Sequence, residues 1–199
     1  MLMHEKTSKI FIREKIRKIR KSLHEAEIIS KSFEVERNFF DLTELKNIKN
    51  LLTYMAGSKE VQTKNIINTC IKKNIAVYLP VVDALKKRIS FYRVHDINNE
   101  LEKGPLGIYQ PKINEQNLFK DQNVIDLIVV PGLAFDKRGG RIGSGKGFYD
   151  KFLATVPSCK PIIALAFECQ IVDEITLSSH DIPMYKIITE KRIISCREG

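Results

Sequence analysis

The apolar run VIDLIVV at residues 124–130 stops at Pro131-Gly132. It opens onto a stretch holding six of the ten glycines (132, 139, 140, 143, 145 and 147) within sixteen residues. A short, unbroken apolar run reads as a strand buried on both faces, and such strands belong to parallel sheets covered by helices. Further strand-like runs lie at 51–55, 76–82 (AVYLPVV), 89–94, 162–167 and 186–189. Helical patterns alternate with them. Ile12, Ile16, Ile19 and Leu23 make one apolar stripe over 9–23, and 26–40 runs on without proline or glycine. A third pattern passes through Ile66, Ile67 and Ile71, and a helix can open at 148–153. This alternation predicts an α/β fold: a three-layer sandwich around a mostly parallel, Rossmann-like sheet with helices on both faces. No repeat, low-complexity tract or linker interrupts it, so residues 1–199 are expected to form one domain. Sheets of this kind bind ligands beyond the carboxyl ends of their strands, where the glycine-rich stretch begins.

Composition narrows the classes. The 199 residues are 43% apolar and 29% charged, as in an ordinary globular chain, and carry a net charge of +9. Residues 1–23 hold eight bases against two acids, so most of the excess belongs to one helix-like segment. There Lys9, Arg13, Arg17 and Arg20 form a second stripe beside the apolar one, at the rim of a core. Nucleic-acid binding by this helix is the rival reading, but no helix-turn-helix, RRM or KH pattern accompanies it, and no aromatics interleave with the bases. No nucleic-acid partner is therefore expected. The apolar stretch at 124–135 is too short for a bilayer and contains Asp126, Pro131 and Gly132, so no membrane association is expected either. The first six residues lack an apolar core for a secretory signal. The four cysteines show neither CxxC nor a metal-ligand spacing with the four histidines; free thiols in the cytoplasm are expected.

The stretch PGLAFDKRGGRIGSGKGFYDKFL, Pro131 to Leu153, suits phosphate. Glycines let backbone N–H groups turn inward, and a following helix adds positive potential. Arg141 and Lys146 supply charge, Ser144 and Tyr149 hydroxyls. GRIGSGK fits the GxxxxGK of a P-loop, but Gly147 follows where Mg²⁺ would need Ser or Thr. Asp136 and Asp150 bracket the loop. Each is either a carboxylate sharing Mg²⁺ with a nucleotide or the cap of a turn or helix.

This stretch resembles the signature of the 5-formyltetrahydrofolate cyclo-ligases (5,10-methenyltetrahydrofolate synthetases), with Ile142 for Leu and Phe148 for the first Tyr. The opening around Lys9, Arg13, Arg20 and Leu23 is similar to that family, as are Glu60-Val-Gln-Thr63, Tyr78-Leu-Pro-Val-Val82, Gly104-Pro-Leu-Gly-Ile108 and Ala164 to Gln170. The resemblance implies MgATP-dependent closure of 5-formyltetrahydrofolate to 5,10-methenyltetrahydrofolate, with 5-formyltetrahydrofolate and MgATP as the small-molecule partners and Mg²⁺ as cofactor. It implies ATP contacts from Lys9 and Arg13, and from Arg141, Ile142, Gly143, Ser144, Gly145, Lys146, Gly147, Phe148 and Tyr149. Arg141 and Lys146 would steady the γ-phosphoryl group, Asp150 would hold Mg²⁺, and Met55 and Glu60 would line the folate site. Three positions depart from the pattern. Gln110 stands where Glu is frequent, Tyr185 where an acid near Mg²⁺ is frequent, and Ser144 where the residue is often larger or cationic. His4, His24, His95 and His180 are read as non-catalytic. A sugar-phosphate isomerase or CoA-transferase relative without ATP chemistry shares the expected sheet and stays open at this level, as does the oligomeric state, with a monomer compatible.

Overall fold

The computed structural model describes residues 8–196 apart from 84, 87, 105, 106, 179 and 180. His4 and His180, and the middle of the 104–108 motif, lie outside the described residues.

Five parallel strands form the centre of a seven-stranded sheet: β1 (Asn50–Leu52), β2 (Ala76–Asp83), β6 (Leu127–Val130), β9 (Ile162–Leu165) and β11 (Lys186–Ile188). Antiparallel β3 (Arg88–Val94) closes one edge and β12 (Ile193–Ser195) the other, giving the order β12-β11-β9-β6-β1-β2-β3. Side chains alternate between two cores, as a pleated strand requires. Leu51, Leu127, Val129 and Ile163 face one, Leu52, Ile128, Val130 and Ile162 the other.

The first core is covered by α2 (Glu25–Phe40) and α3 (Lys64–Lys72), through Ile28, Val35 and Phe39 of α2 and Ile66, Ile67 and Cys70 of α3. The second is covered by the short α4 (Phe148–Leu153), whose Phe152 ring lies 4.6 Å from that of Phe91. Helix α1 (Lys9–Ser22) sits elsewhere. Its Ile12 and Ile16 pack with Ala134, Ile142 and Ile175 on a small sheet of β10 (Ile171–Val172), β7 (Ala134–Asp136) and β8 (Arg141–Ile142). A hairpin of β4 (Leu101–Lys103) and β5 (Tyr109–Pro111) forms a separate two-stranded sheet.

The run at 124–130 is strand only from Leu127. Asp121 accepts from Asn123 N and starts a 3₁₀ turn at Gln122–Val124, and one Asp126 carboxylate oxygen accepts from both Lys49 N and Asn50 N. Two carboxylates thus satisfy backbone that a longer strand would have paired in the ladder.

Strand order places the site. From β1 the chain moves to β2 on one side; from β6 it moves to β9 and β11 on the other. The crevice between the carboxyl ends of β1 and β6 is therefore the topological switch point of the sheet.

Candidate active site

Two loops leave the switch point. After β1, residues 53–63 are folded back by their own side chains. Thr63 Oγ1 donates to Tyr54 O at 2.7 Å and accepts from Ala56 N at 3.2 Å, and Gln62 Nε2 donates to Gly57 O and Glu60 O at 3.0 and 2.8 Å. The Glu60 carboxylate accepts from Gly57 N at 2.9 Å through Oε2. After β6, Pro131 and Gly132 lead into the β7–β8 turn and then the 143–147 loop. These segments, the ends of β2 and β3 and the β4–β5 hairpin enclose a cavity of about 400 Å³.

Two parts of its lining differ in chemistry. The loop after β1, β2 and the β4–β5 turn bring Tyr54, Met55, Glu60, Pro80 and Ile108, an apolar half with one carboxylate, joined by Arg20 of α1; the second loop and α4 bring Arg141, Gly143, Ser144, Lys146, Gly147, Phe148, Tyr149 and Asp150. Met55 and Glu60 therefore meet most of the loop residues expected from the sequence. Lys146 is exposed and makes no hydrogen bond or ion pair among the described residues. Tyr149 is the reverse. Its hydroxyl is buried with no partner among the described residues, and burial above all, with the nearby Glu60 charge, pushes its phenol well up. The ring lies 5.8 Å from the Arg141 guanidinium carbon. A phenol held neutral in this way keeps its proton and is a hydrogen-bond donor.

Several expected residues are placed differently. Ile142 is core: it packs with Ile12, Ile16, Ala134 and Ile175 and brings no side chain to the cavity. Lys9 Nζ lies 2.5 Å from Asp181 Oδ2, and Lys9 is not among the residues lining the cavity. Although burial pushes Asp181 upward, the bonds from Lys9 and Ser178 outweigh it and hold its carboxyl below the usual range. Arg13 stays outside the cavity and braces the loop instead, its Nε donating to Gly143 O at 3.1 Å; Arg17 donates to Ser144 O at 3.1 Å in the same way. Gly145 lies on the outer side of the loop, where an added Cβ would come 3.9 Å from Arg13 Nε.

The two aspartates also separate. Asp136 is fully buried: its Oδ1 accepts from Arg138 N and Gly140 N and its Oδ2 from Ile175 N, at 2.7–2.9 Å. It caps a turn. Asp150 pairs with the Arg141 guanidinium, and the residue at the N-cap of α4 is Gly147, so Asp150 is no helix cap. Its side chain is 42% exposed beside the cavity, leaving a carboxylate oxygen for a cation carried in with a polyphosphate. Among the described residues, no three His, Cys, Asp or Glu side chains gather as a metal site. Tyr185 contributes none; its backbone bonds to Ile162 O and Cys196 N, and its ring faces Lys186. Gln110 lines the cavity and brings an amide, not a charge. The sequence reading also missed Tyr54 and Tyr109 as lining residues, since neither belongs to a spaced motif.

Among the described residues, no helix is long and apolar enough to cross a membrane. The profile described as the 5-formyltetrahydrofolate cyclo-ligase family matches residues 5–190. The chain is similar to the 5-formyltetrahydrofolate cyclo-ligase of Haemophilus influenzae, 32% identical over 178 residues, covering 89% of this chain and 95% of that one. A solution structure of Aquifex aeolicus 5,10-methenyltetrahydrofolate synthetase superposes with a TM-score of 0.82 at 32% identity, covering 96% and 94% of the two chains. The Mycoplasma pneumoniae 5,10-methenyltetrahydrofolate synthetase shares the fold, with a TM-score of 0.73 at 23% identity over 92% and 99%. Profile and relatives span nearly the whole chain, and the signature stretch resembled at the outset lines the one crevice that the sheet order singles out. The chain belongs to the 5-formyltetrahydrofolate cyclo-ligase family.

Proposed function

We propose that this chain closes 5-formyltetrahydrofolate to 5,10-methenyltetrahydrofolate at the expense of ATP, releasing ADP and phosphate. The observation that carries the reading is that one cavity is lined both by an apolar, carboxylate-bearing set of residues and by a cationic, glycine-rich loop. A flat, N–H-rich pterin suits the first: Glu60 would accept from its N–H groups while Met55 covers its face. A triphosphate suits the second, with Arg141 and Lys146 near the transferred phosphoryl group.

The formyl oxygen is a poor leaving group. Attack by that oxygen on the γ-phosphorus, with ADP departing, makes it a phosphate ester; N10 then attacks the formyl carbon, loses its proton, and the C–O bond breaks to expel phosphate. For such steps the protein supplies placement and charge neutralisation. Lys146, free on its loop, can follow the phosphoryl group from ADP to the formyl oxygen. Arg141 is held by Asp150 and by Pro131 O, so it offers a fixed charge. Mg²⁺ would neutralise phosphate oxygens, with Asp150 and water completing its shell.

The nucleic-acid alternative loses support from α1. Arg20 is buried, Arg13 and exposed Arg17 donate to the loop, and Lys9 pairs with Asp181, so each cation of that stripe already has a partner within the chain. The test is an assay with 5-formyltetrahydrofolate and MgATP. Appearance of the methenyl chromophore, one ADP and one phosphate per product, is expected. Chromophore formation without ATP would favour the relative lacking ATP chemistry, and no reaction would remove the proposal.

A further inference from the structure

Helix α1 buries Ile12, Ile16 and Arg20 at successive i, i+4 positions, so an arginine occupies the place where a third aliphatic side chain would continue the stripe. A buried guanidinium is costly unless its donors are met. Those of Arg20 reach two different loops. Nε donates to Lys59 O at 2.7 Å, and Nη1 donates to Gly132 O at 3.3 Å. Nη2 lies 3.7 Å from Glu60 Oε1, too long for a hydrogen bond but close enough for a charge pair. One side chain therefore ties the loop after β1 to the exit of β6 across the switch point.

We infer that Arg20 is a positioning residue for the folate half of the cavity: its guanidinium sets the Glu60 carboxylate and the Lys59–Glu60 backbone against the Pro131–Gly132 wall. This rests on the function proposed above. Glu60 is held at both oxygens, Oε2 by Gly57 N and Oε1 by the Arg20 charge, which leaves its remaining lone pairs facing the cavity. Both residues line the cavity, but the Arg20 side chain is 9% exposed and that of Glu60 25%, so Glu60 is the more openly presented of the two. Gly132 O is also bonded by Gln170 Nε2 at 2.9 Å, so the wall keeps a second anchor when Arg20 is replaced. The loop after β1 keeps the Thr63 and Gln62 bonds described above. A replacement should therefore disturb Glu60 more than the scaffold. Among the described residues, the hydrogen bonds and ion pair of Arg20 go to Lys59, Gly132 and Glu60 and not to the 143–147 loop, so its effect should fall on one substrate.

The experiment is a double-mutant cycle of Arg20→Met and Glu60→Gln, with KM measured separately for 5-formyltetrahydrofolate and ATP. Arg20→Met is expected to raise the folate KM about tenfold while the ATP KM changes by less than about twofold, the mark of lost binding at one subsite. In the Glu60→Gln background the same substitution should change the folate KM by less than about twofold, since coupled residues are not additive. Arg20→Lys, which keeps charge but not the planar fork, should be intermediate and covers the case of a poorly folding Met variant. An equal rise in both KM values, or the same factor in both backgrounds, would make Arg20 a structural brace and overturn the inference. If the parental protein proves inactive, the functional reading fails instead. Calorimetric binding of 5-formyltetrahydrofolate by the same four proteins then decides the Arg20 question by itself, and equal affinity with and without Arg20 would overturn it.

Discussion

Gly139 and Gly147 belong to one glycine-rich stretch and both have positive φ, +88° and +68°, yet the space around them is opposite. A Cβ on Gly139 would stand 2.5 Å from Met184 O and 2.9 Å from Met184 N, both backbone atoms; a Cβ on Gly147 would meet nothing within 4 Å. Around Gly139 the chain is jammed against the loop before β11, with Asp136 buried beneath it. Around Gly147 it borders the cavity and an exposed Lys146. The glycines of the first turn serve the fold and those of the second leave room. Glycine density in a sequence cannot tell these apart, because both demand the same missing Cβ.

The comparison is broken most severely by Gly139→Ala. Left-handed strain and a backbone clash together should cost about 3–5 kcal/mol, a large share of a domain's stability. A thermal melt should fall by roughly 10 °C or more. Gly147→Ala carries only the strain, about 1–2 kcal/mol, and should fold. Matched melting losses in the two variants would mean that the two turns are not different in kind.

Lys146→Ala sharpens the contrast next. The side chain is exposed and makes no hydrogen bond or ion pair among the described residues, so the melt should stay within a degree or two of the parent, as for other surface changes. Turnover at saturating substrates should fall about 100-fold, the scale of losing one charge that stabilises a transferring group. Near-normal turnover would show that the open turn is a surface loop with no share in the chemistry.

Much of this was legible in the residues, for physical reasons that also mark the limit. Parallel strands such as β6 and β9 must be apolar on both faces, so they stand out as runs; α1 and α3 must bury one stripe, so they stand out as periods. Two- and three-residue strands such as β7, β8, β10 and β12 carry no such pattern. The sheet order was equally hidden, since nothing in β1 says that β6 is its neighbour. At the site, the loop from Arg141 to Asp150 was readable as a motif. The apolar half draws single residues from β2, β3 and the β4–β5 hairpin, which meet only after folding. For the cations of α1, the amphipathic pattern gave the rim position but not the partner: Arg13 faces the back of the loop, Lys9 faces Asp181, and Arg20 is buried.

Asp150→Asn is expected to have the smallest effect, and it tests the seam between the two turns. Arg141 ends the packed turn on β8 with its side chain only 5% exposed, while Asp150 stands on α4 beyond the open one. Since Gly147 holds the N-cap position, capping is not at stake. Asparagine keeps an oxygen for the Arg141 guanidinium but removes the opposing charge, and the other Arg141 bond, to Pro131 O at 3.4 Å, is long. The loss should be about 1 kcal/mol, read as a fall of roughly 2–4 °C in the melt. If the carboxylate also serves a cation brought in with ATP, the Mg²⁺ midpoint for turnover should rise several-fold, because hard divalent ions depend on anionic oxygen. A titration of turnover against Mg²⁺ at saturating ATP and folate separates the two roles. A lower melt with an unmoved midpoint would confine Asp150 to holding Arg141; a raised midpoint would give the carboxylate a second task, joining the packed turn to the metal-bearing side of the cavity.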